Sequence, residues 1–276
     1  SLGGSMGTAD ESLRKTALVT GASGGIGRAL ALECVRRGLR VVAVGRNSEE
    51  LASLSSSAGG PQGSIIAVSH DLLAPGSTAT LVDFLQRRDI TVDLLINCAG
   101  RGLLAPFDSV AADAQRDVLR LNFEVPIELT HALLPALKTR RGAVLNIASL
   151  VAFLPAPGLS MLAASKTALV SWSVALRREL LGTVSVTAFC PGVTRTAFLQ
   201  RAGMAHLQLE RSFIATSPAV VAAKALDAVG RNKAVAFATP IDRVAALVCK
   251  LLPGWASAAA VAHLLGQFKR ASSGST

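Results

Sequence analysis

The stretch Thr20-Gly21-Ala22-Ser23-Gly24-Gly25-Ile26-Gly27 decides the fold of this 276-residue chain. Before it, Thr16–Thr20 (TALVT) is an apolar run of strand length. After it, the apolar spacing of residues 24–37, closed by Gly38, is that of an amphipathic helix. A turn this tight needs positive-φ backbone, which glycine adopts at no steric cost. It also lets main chain approach a diphosphate with no Cβ in the way, while the helix N-terminus offers unpaired N–H groups to phosphate oxygens. A bare strand-to-helix turn is the plainer reading. The position between a first strand and an amphipathic helix points instead to a dinucleotide site contacted by Gly21, Ser23, Gly25, Ile26 and Gly27.

The same alternation continues outward. Strands are predicted at 40–44, 64–69, 92–97, 142–148, 184–189 and 234–238, and helices at 48–56, 77–88, 111–139, 160–181 and 217–230. Pro126 implies a kink or local break in the long helix, and residues 194–211 read as a loop with short helices. Alternating strands and helices predict the α/β class: a single doubly wound parallel sheet with helices on both faces. Its ligand lies outside the strands' carboxyl ends, where the strand order reverses. Residues 241–252 and 255–268 add a C-terminal helical extension. The expected organisation is a disordered segment 1–13, whose residues before Met6 look like a cloning remnant. An α/β domain follows over 14–238, then the extension over 239–270 and a disordered tail over 271–276.

Val44-Gly45-Arg46-Asn47 ends the second strand. An acidic side chain here would grip the ribose 2′-hydroxyl of NAD, whereas a cation suits the 2′-phosphate of NADP. Gly45 leaves room and Arg46 supplies charge, so NADP is favoured over NAD, with a merely solvated arginine as the alternative. Asp71, after the third strand, either meets the adenine edge or caps its own loop.

Composition narrows the function classes. The chain is 50% hydrophobic and 17% charged, yet no uninterrupted apolar run reaches the roughly 18 residues of a spanning helix. A cytoplasmic location is therefore expected. Cys34, Cys98, Cys190 and Cys249 form no CxxC pair and read as buried free thiols, and the four histidines have no metal-ligand spacing. No metal site is expected. The net charge of +10 permits an anionic partner. The basic residues, however, fall as scattered pairs near helix ends, and 4% aromatics with no tyrosine leave little for bases to stack on. Nucleic acid is not an expected partner.

With these motifs in order, the chain resembles the short-chain dehydrogenase/reductase family from Thr16 to about Phe237. The TGASGGIG loop resembles the family's TGxxxGxG cofactor motif, and Asn97-Cys98-Ala99-Gly100 its NNAG stretch. The resemblance implies a Rossmann-type sheet in which Asn97, Ala99 and Gly100 help to bind the cofactor. It implies that Asn122 holds a proton-relay water, that Ser149 orients the substrate carbonyl, and that Pro191-Gly192-Val193-Thr194 holds the nicotinamide amide. Lys166 matches the lysine of the family's Tyr-x-x-x-Lys pair, which grips the nicotinamide ribose. The tyrosine position holds Leu162, and the chain contains no tyrosine at all.

That departure removes the group that exchanges a proton with the substrate oxygen, a contribution of about 10²–10⁴-fold for a general acid–base group. A water relayed through Asn122 and Lys166 is the simplest replacement acid. A Ser149–Lys166 nucleophilic pair would instead give hydrolysis or acyl transfer. The leading expectation is an NADP(H)-binding oxidoreductase with impaired or altered redox chemistry on a hydrophobic carbonyl or alcohol. The alternatives are a non-catalytic NADP(H) sensor or scaffold subunit, and a non-redox enzyme reusing the pocket for hydrolysis, elimination or cyclisation. Phe198, Leu199, Met204, Leu207 and Leu209 make the substrate loop apolar, which suits a small hydrophobic substrate. The family pairs the helices equivalent to 111–139 and 160–181 across a dimer axis, which implies a homo-oligomer. From Arg231 onward there are six Lys/Arg against one acid, Asp242. The extension therefore either covers the substrate cleft or packs on a partner subunit, or it rests on anionic lipid as a peripheral contact.

Overall fold

The computed structural model describes residues 15–59, 61, 63–204, 212 and 214–265. The segments 1–13 and 271–276, expected to be disordered, lie outside the described residues, as do positions 266–268 of the last expected helix.

Seven strands, β1 (Thr16–Thr20), β2 (Arg40–Gly45), β3 (Ile65–Ser69), β4 (Leu94–Asn97), β5 (Ala143–Ile147), β6 (Ser185–Cys190) and β7 (Val235–Phe237), form one sheet in the order 3-2-1-4-5-6-7. Every pairing is parallel. The order reverses between β1 and β4, which opens the crevice at their carboxyl ends.

Successive residues of a strand face opposite sides of the sheet, and the two cores divide accordingly. Ala17 and Val19 of β1 meet Leu30 and Cys34 of α1 (Gly25–Arg36) and Val221 and Ala225 of α8 (Pro218–Gly230). Leu18 faces the other way, with Leu81 and Leu85 of α3 (Ser77–Arg87) and Leu129, Leu133 and Leu137 of α5 (Val125–Thr139). Each leucine buried this completely contributes on the order of 2–3 kcal/mol. β3, at the sheet edge, is only partly buried.

The expected break at Pro126 comes one turn earlier. α4 (Ala112–Leu119) runs into a five-residue π turn, Arg120–Glu124, before α5 begins. Pro126 has no N–H to give the Asn122 carbonyl four residues back, and its ring crowds that carbonyl, so the adjustment falls on the preceding turn. Pro135 lies inside α5 on its exposed side, where solvent can satisfy the carbonyl it leaves unpaired.

The remaining helices are α2 (Ser48–Ser57), α6 (Ser160–Glu179), the short α7 (Phe198–Arg201), α9 (Pro240–Leu251) and α10 (Gly254–Leu265). α9 opens on a capping box. The Thr239 hydroxyl accepts from the Asp242 N–H, and the Asp242 carboxylate accepts from the Thr239 N–H. Among the described residues, no helix is long and apolar enough to cross a membrane.

Candidate active site

The glycine-rich turn is built so that backbone fills the space side chains would take. Gly21 (φ +70°) lies so close to the next loop that a Cβ would meet Ala99 Cα at 2.9 Å. A Cβ on Gly27 would come within 2.2 Å of the Gly21 carbonyl oxygen, so the helix packs directly on the turn. At Gly25 (φ +54°) a Cβ would meet Thr196 at 3.2 Å, which brings the loop after β6 over the same turn. α1 starts at Gly24 with no side-chain cap and no acid in its first turn. Its first N–H groups are therefore left for an anion, with the helix dipole favouring one. Gly21, Gly25 and Gly27 thus let main chain pack where Cβ atoms would collide, and with Ser23 and Ile26 at the uncapped start of α1 they are the residues that could cradle a diphosphate.

Thr20 ties this turn to its neighbour, a role the sequence reading missed. Its hydroxyl accepts from the Cys98 and Ala99 N–H groups at 3.0 and 3.1 Å and donates to the Ile96 carbonyl at 3.3 Å. Ala99 consequently stands beside Gly21, whereas a Cβ on Gly100 would lie 3.3 Å from Asn122 Oδ1 and 3.7 Å from Lys166 Nζ. Asn97 does not present its side chain there. Its amide donates to Asn146 Oδ1 at 2.8 Å inside the sheet, and Asn146 donates onward to Ser173. The Asn97 Oδ1 is buried without a hydrogen-bond partner among the described residues.

At the tip of β2, Arg46 is exposed. The missing Cβ of Gly45 makes room for Ser23, whose Cβ and Oγ would lie 3.0 Å from it, rather than opening space directly to a ligand. The Asp71 carboxylate accepts from the Leu73 N–H at 3.0 Å, which is the loop-capping arrangement.

Across the crevice, two residues past β5 lies Ser149, whose hydroxyl oxygen accepts from the Val151 N–H at 3.2 Å and caps the 3-10 turn Leu150–Phe153. Lys166 of α6 is buried, and its ammonium donates to the Ile147 carbonyl at 2.8 Å. Burial pushes its pKa down to about 8. The same desolvation pushes the nearby Cys98 and Cys190 thiols up to about 12, which leaves them un-ionised. Cys34 and Cys190 are buried as expected, whereas Cys98 and Cys249 are only partly so. Asn122, fully buried in the π turn, accepts from the Arg101 N–H at 2.8 Å and donates to the Arg101 carbonyl and to Ser165 Oγ. Its side chain is therefore spent on joining the loop after β4 to α6.

Leu162 lies one helical turn before Lys166 and is 5% exposed. It packs in a separate apolar cluster with Ala156, Leu159, Leu199, Ala202 and Met204, against which Phe198 and Val261 lean. Gly102 borders this cluster closely, and a Cβ there would meet Phe198 at 3.1 Å and Leu162 at 3.2 Å. Leu207 and Leu209 of the expected apolar loop lie outside the described residues. Pro191 and Thr194 are buried beside the β6 end, and the Leu150 N–H donates to the Pro191 carbonyl at 2.8 Å. A Cβ on Gly192 would fall 2.2 Å from Asp242 Oδ1, so α9 presses directly on this loop. No pattern in the local sequence around Gly192 signals that long-range contact. The structure therefore gathers Ser149, Leu162, Lys166 and Asn122 on one wall of the crevice and the glycine cradle on the other.

Residues 15–206 match the model of the short chain dehydrogenase family. A ketoacyl reductase of Nostoc sp. is 34% identical over 182 residues, which are 64% of this chain and 63% of that protein. The chain thus spans less than two thirds of that relative's length. Dehydrogenase/reductase SDR family member 7B of Bos taurus is 32% identical over 86% of this chain and 77% of its own. Among solved structures, a short-chain dehydrogenase from Sphingobium yanoikuyae in complex with NADPH superposes with a TM-score of 0.75 at 28% identity, covering 95% of this chain and 99% of that one.

Proposed function

The chain belongs to the short-chain dehydrogenase family, and from that premise we propose that it binds NADP(H) in the crevice and acts on a hydrophobic carbonyl or alcohol without a phenolic proton donor. The observation that carries this reading is the pairing of a complete glycine cradle with an aliphatic side chain one turn from a buried lysine. The relative that binds NADPH supports the cofactor, and Arg46 at the tip of β2 supports the phosphorylated form.

Bound in the cradle, the cofactor supplies or accepts hydride. The chain's own residues do the rest. The Ser149 oxygen is engaged by Val151, so its proton is left to donate to a substrate oxygen. Lys166 uses one N–H on Ile147 and keeps the others for a ribose or a water. The Asn122 carbonyl, to which Pro126 brings no N–H, is the acceptor for that water, since the Asn122 side chain is already committed. Leu162 excludes water from the place where a phenol would act and offers apolar surface to the substrate. Pro191, Gly192, Val193 and Thr194 hold the nicotinamide amide, and Asp71 serves as the cap of its own loop.

The test is a fluorescence titration with NADPH followed by turnover against a panel of lipophilic ketones. Tight NADPH binding with slow, measurable reduction is the expected result, and failure to bind NADPH would defeat the reading. The closed apolar cluster around Leu162 favours a second reading, a non-catalytic NADP(H) sensor or scaffold. Its mark is tight binding with no turnover on any ketone. A Ser149–Lys166 nucleophile has less support, because the lysine donates to Ile147 and the serine accepts from Val151.

A further inference from the structure

We propose that α9 and the first turn of α10 form a docking surface for an anionic lipid bilayer, lying in its plane with an apolar stripe inserted. The stripe is Ile241, Val244, Val248, Leu251, Leu252 and Trp255, between 45% and 78% exposed. Ile241, Val244, Val248 and Leu251 recur at helical spacing and share one side of α9, Leu252 and Trp255 continue the exposed apolar run past its end, and Asp242 and Ala246 turn inward and are buried. A run of exposed leucine, isoleucine, valine and tryptophan this continuous marks an interaction surface rather than ordinary surface scatter.

Charge selects the occupant. From residue 240 onward the chain carries Arg243, Lys250, Lys269 and Arg270 against one carboxylate, Asp242. That carboxylate is buried, capping Thr239 and pressing on Gly192. Arg243 and Lys250 are exposed two turns apart along one edge of the stripe. Neither pairs with a carboxylate among the described residues. A second copy docked on this face would bring two cationic rims together with no acid to neutralise them. Anionic headgroups neutralise them directly. Twelve residues are too few to span a bilayer but ample for a helix lying on it, and Trp255 suits the interfacial layer.

The same helix walls the crevice. Besides Asp242 at Gly192, Lys250 sits over the Phe153 ring at 5.1 Å, and Phe153 closes the turn capped by Ser149. Docking through α9 therefore brings the proposed substrate mouth to the lipid surface. The docking itself does not rest on the cofactor reading.

The test is flotation of the full chain with phosphatidylcholine vesicles, with and without phosphatidylserine. Binding is expected only to the anionic vesicles and should weaken with added salt. Leu251→Glu combined with Trp255→Glu should reduce it at least about tenfold, while circular dichroism and NADPH affinity stay unchanged because both side chains are largely exposed. Independently, Trp255 emission should shift to the blue on anionic vesicles, with Trp255→Phe reporting the Trp172 background. No binding to anionic vesicles, undiminished binding by the double variant, or an oligomer in solution that the double variant dissolves would each overturn the proposal.

Discussion

On the β1 side of the crevice, Gly21, Gly25 and Gly27 let the turn pack so closely on Ala99, on the Gly21 carbonyl and on Thr196 that no added Cβ would fit. On the α6 side, the space one turn ahead of Lys166 is packed with Leu162 and its apolar neighbours. Both walls flank the switch point of one sheet, and on the function proposed above only the first has the full set of parts its chemistry needs. Binding a diphosphate depends on main-chain geometry, which any substitution at those glycines would spoil. Moving a proton depends on one side chain, which can be exchanged for leucine without disturbing the fold. A cradle and a catalytic wall can therefore diverge independently within one crevice.

The sharpest way to break this contrast is to restore a phenol. Leu162→Tyr should raise ketone reduction by about 10²–10⁴-fold if Ser149 and Lys166 are correctly placed. The new ring must displace Phe198 or Met204 around Gly102, so a stability loss of about 1–3 kcal/mol should accompany it in thermal melts. No gain in turnover despite bound NADPH would favour the sensor reading. On the opposite wall, Gly27→Ala drives a methyl into the Gly21 carbonyl. NADPH affinity should fall about a hundredfold, roughly the 2–3 kcal/mol of a backbone forced aside. A Kd within threefold of the parent would show that the cradle does not hold the diphosphate.

How much of this was legible in the sequence follows from how local each signal is. The strands and α1 announce themselves through apolar runs and glycine, and the structure places them with the expected order and boundaries close to those expected. α3, α5 and α8 end in left-handed residues that are not glycine, Asp89, Arg141 and Asn232, so their stops lack the usual signature. The resemblance singled out Asn122, but nothing in the sequence signalled the fate of its side chain, because Arg101 and Ser165 lie 21 and 43 positions away. Asp242 against Gly192 is likewise a product of packing, invisible until α9 folds back onto the β6 loop.

The buried lysine gives the catalytic wall a pH signature. Its pKa is about 8 when folded and roughly 10.4 when unfolded. Below pH 8 both states are protonated and the folded state bears the full cost of the buried charge. Between those values the unfolded chain holds the proton and the folded one releases it, so this contribution makes stability rise with pH, and it levels off above the unfolded value. Cys34, Cys98 and Cys190, raised to about 12, act in the opposite sense over the same range. The lysine is therefore isolated by difference. Parent stability minus that of Lys166→Met should climb by about 2 kcal/mol between pH 8 and 10 in urea melts. A flat difference would mean that the ammonium is not desolvated as the structure indicates.

The smallest expected effect tests whether the cradle wall also selects its ligand. Arg46 is exposed, so its attraction for a 2′-phosphate is screened and amounts to about 1–1.5 kcal/mol. Arg28 cannot take over, because its guanidinium already donates to the Glu50 carbonyl and to Ser53 and Ser57 of α2. Arg46→Ala should therefore weaken NADPH about tenfold and leave NADH unchanged, with the difference shrinking in high salt. Equal losses for both nucleotides would mean that Arg46 supports the tip of β2 rather than reading the phosphate. The contrast between the walls would then narrow to the glycines alone, with selection of the phosphorylated form left to Ser23, the polar side chain packed against Gly45.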